Sequence, residues 1–216
     1  MRINKLLAQA TGLSRRAADT AIQAGRVSLN GRPAKVGDDA TDSDEVRLDG
    51  QIITAAPHLT IMLNKPAGYI CSRDGQGGTT IYDLLPSEYH GLKPVGRLDK
   101  DSSGLLLLTN DGELANQLTH PRYAKSKVYE VALDSALTPA HQAAIERGVT
   151  LDDGLSALKL HPISDDKHWR VTMAEGRNRQ IRRTFAALGY RVMRLNRASF
   201  GDYQLDDLAP GKYKII

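Results

Sequence analysis

The 216-residue chain is 41% hydrophobic and 25% charged, with a net charge of +4 and a single cysteine, Cys71. That leaves room for one large domain or a small and a medium one; it excludes an internal disulfide and a cysteine-rich zinc site, and the six histidines show no metal-ligand spacing. No stretch approaches the roughly 18 apolar residues of a membrane span, and the N-terminal MRINKLLAQATG interrupts the apolar region a signal peptide needs, so a cytoplasmic protein with no membrane partner is expected.

Charge is unevenly spread. Residues 1–36 carry Arg2, Lys5, Arg15, Arg16, Arg26, Arg32 and Lys35 against Asp19 alone, whereas residues 37–50 carry Asp38, Asp39, Asp42, Asp44, Glu45 and Asp49 against Arg47. Residues 176–200 hold seven arginines and no acid. Two basic segments this far apart, both short of the acids that would form i,i+4 pairs, point to two contacts with one polyanion.

In chain order, Ile3, Leu6, Leu7 and Ala10 form an i, i+3, i+4, i+7 stripe that predicts a first helix ending near Gly12. Ser14 is placed to cap a second helix, with Ala17, Ala18, Ala21 and Ile22 inward and Gly25 as its stop. Arg15 and Arg16 fall in its first turn, where the helix dipole disfavours cations, a placement that hints at an external anion. RVSLNG then predicts a strand and the turn Asn30-Gly31, and a second short strand follows at Glu45–Leu48. The order helix, turn, Ser-Arg-Arg, helix, GRVSLNG, strand resembles the S4 RNA-binding domain over about residues 1–48, with Arg2, Lys5, Ser14-Arg15-Arg16 and Gly25-Arg26-Val27 at that family's positions. The resemblance implies an RNA grip in which Lys5, Arg15, Arg16 and Arg26 contact phosphates.

Residues 49–58, DGQIITAAPH, read as a linker, and a second domain is expected over residues 59–216. Its strands are predicted near 59–63, 105–109, 127–133, 157–163, 169–173 and 191–195, its helices near 79–85, 112–118, 139–147 and 178–188. Thr138-Pro139 makes a good cap and first-turn pair, and Gly148 and Gly189 are good stops. No regular βαβ repeat is present. The predicted class is therefore α+β: a small N-terminal S4-like domain plus a larger domain with a largely antiparallel mixed sheet flanked by helices.

Residues 95–112, VGRLDKDSSGLLLLTNDG, carry the most informative chemistry. An ionic cluster of Arg97, Asp99, Lys100 and Asp101 runs into the run Leu105–Thr109, a buried strand bounded by Gly104 and the turn-like Asn110-Asp111-Gly112. A carboxylate beside a core strand needs a cation. The helix near 178–188 offers one: Ile181, Phe185 and Leu188 form its buried face, and Arg179, Arg182 and Arg183 share an adjoining face. Gly75-Gln76-Gly77-Gly78 has Thr80 where a dinucleotide fingerprint needs its third glycine, and reads instead as a loop at a cleft mouth. Ser102 and Ser103 read as turn residues.

Four motifs, Asn64-Lys65-Pro66-Ala67-Gly68, Gly96-Arg97-Leu98-Asp99, Lys127-Val128-Tyr129 and Glu175-Gly176-Arg177-Asn178-Arg179-Gln180-Ile181-Arg182-Arg183, match in order those of a pseudouridine synthase family. That family modifies bacterial ribosomal RNA and typically carries an N-terminal S4 domain; the resemblance extends over essentially the whole chain, including the closing RLNRASFGDYQLDDLAPGKYKII. It implies a catalytic domain over residues 59–216 that isomerises a specific uridine of ribosomal RNA, free or in a ribosome-assembly intermediate, with the target base flipped from its stack. No metal or other cofactor is expected, and the protein is expected to be a monomer.

By the same resemblance Asp99 is the catalytic carboxylate, Arg182 pairs with it and keeps it ionised, and Tyr129 stacks on the target base. Arg97 is the implied wedge or backbone contact at the flipped nucleotide, Arg179 and Arg183 are implied RNA contacts, and Lys65 and Pro66 shape the cleft floor. Whether Asp99 attacks C1′, adds to the base or removes the C2′ proton stays open at this level. The alternative function is a non-catalytic S4-type RNA-binding ribosome-assembly factor, which the intact Asp99, Tyr129 and Arg182 oppose. An S4-linked RNA methyltransferase would need a glycine-rich cofactor loop after the first strand, and the sequence has none there.

Overall fold

The apolar stripes of the first residues become two short helices. In the computed structural model, which describes every residue except Asp42, Ala55, Ala56, Asp74 and Gln76, α1 (Ile3–Thr11) buries Ile3, Leu6 and Leu7 and stops at Gly12, in the left-handed region. Helix α2 (Arg15–Gln23) starts at Ser14, whose Oγ accepts the Ala17 N–H, and buries Ala18, Ala21 and Ile22. Both pack with an antiparallel sheet of order β2-β1-β3-β4, formed by β1 (Val27–Leu29), β2 (Arg32–Pro33), β3 (Val46–Leu48) and β4 (Gln51–Ile52). Strand β4 lies inside the stretch expected to be a linker. Asp49 and Gly50 both adopt positive φ and turn the chain back on β3, and the Ile53 N–H reaches the Val46 carbonyl, so the first unit extends past residue 48. Of that stretch, Ala55 and Ala56 lie outside the described residues. The chain divides into two units, Met1–Leu59 and Thr60–Ile216.

The second unit is a nine-stranded mixed sheet flanked by helices, the α+β class expected. Its main path runs β11 (Lys159–Pro162), β12 (His168–Met173), β8 (Lys127–Leu133), β13 (Val192–Phe200), β7 (Ser103–Thr109), β5 (Thr60–Lys65), β15 (Tyr213–Ile215). Strand β6 (Lys93–Val95) adds to β7, and β14 (Tyr203–Gln204) to β13; β9 (Val149–Leu151) and β10 (Gly154–Ser156) form a separate hairpin. Every residue of β5 is buried, as are Gly104–Thr109 of β7, which explains why these strands read as continuous apolar runs. Helices α3 (Gly112–Thr119) and α4 (Pro139–Arg147) are capped by Asp111 and Thr138. Among the described residues no helix is long and apolar enough to cross a membrane.

All pairings in this sheet are antiparallel except β7 with β13, where Ser103 faces Asn196 and Gly104 faces Arg197. Gly104 has φ 105°, and a Cβ there would lie 2.4 Å from the Arg197 carbonyl oxygen. Only glycine lets the two backbones meet so closely.

Two helices differ from expectation. The segment 79–85 forms only a 3-10 turn, Ile81–Leu84, capped by Thr80 and Asp83. Pro86 disfavours a helical residue before it, and Leu85 is extended at φ −120°, ψ 146°. Helix α5 (Gln180–Ala186) starts later than the predicted 178, because Arg179 is left-handed at φ 47°. Conversely, the strand predicted at 191–195 runs on to Phe200. The glycine loop at 75–78 includes Gln76, outside the described residues.

Candidate active site

A buried lysine fixes the Asp99 loop. Lys65, at the end of β5, is 0% exposed, and its Nζ donates to the carbonyls of Pro66 (3.0 Å), Asp99 (3.1 Å) and Ser102 (2.7 Å). All three N–H bonds of the ammonium are thereby matched, which a buried cation requires. Burial pushes its pKa below the ordinary lysine range, with the Asp101 and Asp99 carboxylates opposing that shift. The Ser102 N–H closes back on the Asp99 carbonyl at 3.1 Å, and the Gly68 N–H holds Lys100 at 2.6 Å. The loop is thus held through its backbone, which frees the Asp99 side chain for other work.

The Asp99 carboxylate is half-buried, and among the described residues it accepts no hydrogen bond. Its cationic neighbour is Arg179, whose Nη1 lies 3.6 Å from Oδ2, beyond hydrogen-bond range. Arg179 spends its fork on Asp101, at 3.0 and 3.1 Å. Arg182 also turns to Asp101: its Nε is 3.3 Å from Oδ2, its Nη2 donates to the Asp101 carbonyl at 2.9 Å, and its Nη1 to the Val192 carbonyl at 2.7 Å. The expected Asp99–Arg182 pair is therefore corrected to Asp99–Arg179, with Arg182 on Asp101. The left-handed backbone at Arg179 redirects that side chain to the loop, while two carbonyls anchor Arg182. Arg179 holds the Asp101 carboxyl below the usual carboxylate range.

Arg183, expected to face RNA, is instead tied to the fold. Its guanidinium bonds Asp152 and Asp153 at the tip of the β9–β10 hairpin, the latter at 2.6 Å. Arg177 joins it on Asp153 at 2.8 Å and on the carbonyls of Asp153, Gly154 and Leu155. The acids missing from residues 176–200 are thus supplied from elsewhere in the chain. Gln180, 2% exposed, completes the brace: its Oε1 accepts the Arg177 N–H at 3.1 Å, and its Nε2 donates to Ser156 Oγ at 3.0 Å and to Glu175.

Asp99, Arg97, Lys127, Tyr129, Arg179 and Arg197 line one cleft of about 690 Å³, within the range of small-molecule pockets. Arg97 is exposed, Tyr129 is buried on β8, and Pro66 is half-buried behind the loop. Lys127 Nζ sits 5.1 Å from the Phe200 ring and donates to the carbonyls of Lys125 and Ala174, and burial lowers its pKa. In the first unit Arg15 and Arg16 are exposed, Arg15 touching Asn4 at 3.2 Å, and Lys5 is half-buried. Arg26 is forked onto Asp49 at 2.9 and 2.5 Å.

Sequence reasoning missed three residues of the site. Asp101 sat in the ionic cluster but was given no task. Gln180 lay inside a matched motif without a reason to be buried. Arg197 could have been found from its spacing, since Leu195 and Arg197 alternate inward along β13.

A cleft lined by Arg97, Lys127, Arg179 and Arg197 round a carboxylate that accepts no hydrogen bond among the described residues suits an enzyme acting on an anionic substrate. An RNA pseudouridylate synthase family model matches residues 59–187, and an S4 domain model matches residues 1–46. The ribosomal large subunit pseudouridine synthase B of Escherichia coli (strain K12) is 39% identical over 218 residues, covering 94% of this chain and 75% of that protein. Its namesake from Yersinia pestis is 38% identical, covering 94% and 68%. A crystal structure of a pseudouridylate synthase superposes with a TM-score of 0.72 at 35% identity, covering 100% of this chain and 96% of the other. The chain belongs to the RNA pseudouridylate synthase family.

Proposed function

We propose that this chain converts one uridine of large-subunit ribosomal RNA to pseudouridine in the cytoplasm, acting as a monomer with Asp99 as its catalytic carboxylate. The observation that carries this is the state of Asp99: set in the cleft, close to a permanent cation, yet accepting no hydrogen bond. A nucleophile or base needs lone pairs available at the moment of reaction. The names of the relatives at 38–39% identity support the substrate.

Pseudouridine formation breaks the N1–C1′ bond, turns the base, and rejoins it through C5. The reacting atoms are inaccessible in stacked RNA, so the nucleotide is flipped into the cleft. Tyr129 offers the flat face on which the base rests, and exposed Arg97 meets the backbone of the displaced nucleotide. Arg179, with Nη1 3.6 Å from the Asp99 carboxylate, sets a permanent cation beside it as water leaves. The first unit, Met1–Leu59, acts as a separate RNA grip through Lys5, Arg15 and Arg16, joined to a catalytic unit that begins at Thr60.

The test is a map of pseudouridines at nucleotide resolution in ribosomal RNA from cells with the unaltered chain, with Asp99→Asn, and with neither. One large-subunit position is expected to be modified only with the unaltered chain. Normal modification by Asp99→Asn overturns the catalytic assignment; a map unchanged by the chain favours the non-catalytic assembly factor.

A further inference from the structure

Arg197 is 2% exposed, and a guanidinium taken so far from water is costly unless its donors and charge are matched. Part of the match is internal: Nε donates to the Leu105 carbonyl at 2.8 Å, and the guanidinium lies 4.9 Å from the centre of the Phe200 ring. The rest is missing. Arg197 forms no ion pair among the described residues, and its Nη2 is buried without a hydrogen-bond partner. By contrast Arg177, Arg179, Arg182 and Arg183 are each bonded to a carboxylate or a carbonyl.

Placement says what could complete it. Arg197 lines the cleft together with Asp99 and Tyr129, and the register of β8 and β13 sets it directly opposite Tyr129, on the same face of the sheet. Ser102, 1% exposed and also lining the cleft, has its Oγ buried with no hydrogen-bond partner among the described residues. Arg177 Nε and Arg182 Nε are also buried without a hydrogen-bond partner, but those guanidiniums are charge-matched by Asp153 and Asp101. The open donor of Arg197, which has no such match among the described residues, marks where a ligand brings its acceptors.

We propose that Arg197 Nη2 donates to a carbonyl oxygen of the target uracil and stabilises the negative charge the base acquires as its glycosidic bond breaks. The proposal rests on the reading that Asp99 and Tyr129 hold the target nucleotide. The electron pair of the N1–C1′ bond leaves with the base, and its charge spreads over N1 and the two carbonyl oxygens. Rejoining places an electron pair in the new C5–C1′ bond; C5 gives up its proton and N1 gains one, so the isomer balances without any oxidant or donor. A fixed cation at a carbonyl oxygen interacts more strongly as charge grows there, so it favours the transition state over the bound substrate. A phosphate is the other anionic oxygen of an RNA, but its charge is present throughout, and losing such a contact weakens binding instead.

The experiment compares Arg197→Met and Arg197→Lys with the unaltered chain on unmodified transcripts of large-subunit ribosomal RNA, made with UTP or with 5-fluoro-UTP. Fluorine at C5 stabilises the uracil anion and lessens its need for a donor. Loss of the N1-linked target nucleotide is followed in single turnover, with thermal melting as a check on folding. With UTP-derived RNA the Met variant is expected to cleave about 10²–10³-fold more slowly, with KM little changed, and with fluorinated RNA the deficit narrows. If the Met variant does not fold, the Lys variant must show the same dependence on the base. An equal deficit on both RNAs overturns the proposal, as does a raised KM with an unchanged rate, which would assign Arg197 to a phosphate. An unaltered chain that converts neither transcript overturns the parent reading, and the Arg197 role with it.

Discussion

Asp99 and Asp101 stand two residues apart and carry opposite tasks. Asp101 absorbs the fork of Arg179 and the approach of Arg182, so Asp99 feels a cation without being bonded by it. Replacing Asp101 by Asn is expected to release Arg179 onto Asp99 and slow turnover about tenfold, some 1.4 kcal/mol, with RNA affinity unchanged; single-turnover rates and filter binding check both halves. The same variant has a pH signature. Arg179 lowers the Asp101 carboxyl below its reference of 3.8, so between the two values the unfolded chain binds more protons than the fold. The stabilisation is complete above about pH 5 and fades as acid passes down through that window. In urea titrations the margin of the wild type over Asp101→Asn should hold at neutral pH and shrink only at the acid end. Asp99, Lys65 and Tyr129 were legible in the sequence because each sits in a local motif. The partner of Arg182 was not, because helical spacing places three arginines on one face and cannot reveal that Arg179 lies outside the helix.

Elements with local signals were the readable ones. Ser14 and Thr138 cap as expected, Gly12 closes α1, and the buried runs of β5 and β7 lie where apolar content put them. Strands β6, β14 and β15 have two or three residues each and exist because a longer neighbour offers an edge. Their pairing is long-range, and no pattern within the segments announces it. Gly104 shows the same limit: in sequence it bounds a strand, whereas in the fold it is the contact point of two backbones. Gly104→Ala would push a methyl into the Arg197 backbone from a left-handed φ, and about 3 kcal/mol of destabilisation or more is expected. Chemical denaturation measures it, and a loss below about 1 kcal/mol would mean that β13 shifts freely.

Charge organises the whole molecule differently from its sequence distribution. The acidic residues 37–50 fold back on the basic residues before them: Asp39 meets Arg2 at 3.4 Å, Asp38 meets Arg32 at 2.9 Å, and Asp49 takes Arg26. Arg15 and Arg16 stay exposed and make no ion pair among the described residues. Replacing both with Ala should therefore reduce the salt slope of RNA binding by about 2, whereas Arg26→Ala should change it less; an unchanged slope in the double variant removes the first unit from RNA binding. Long-range order also governs when the site comes into being. The parallel contact of β7 and β13 joins Leu105 to Arg197, 92 residues later, and closing so long a loop is an entropic cost met before the contact rewards it. Asp99 precedes one of those strands and Arg197 lies on the other. Refolding should regain cleavage only in its slowest phase, together with the global signal, so the enzyme has no working half-folded form.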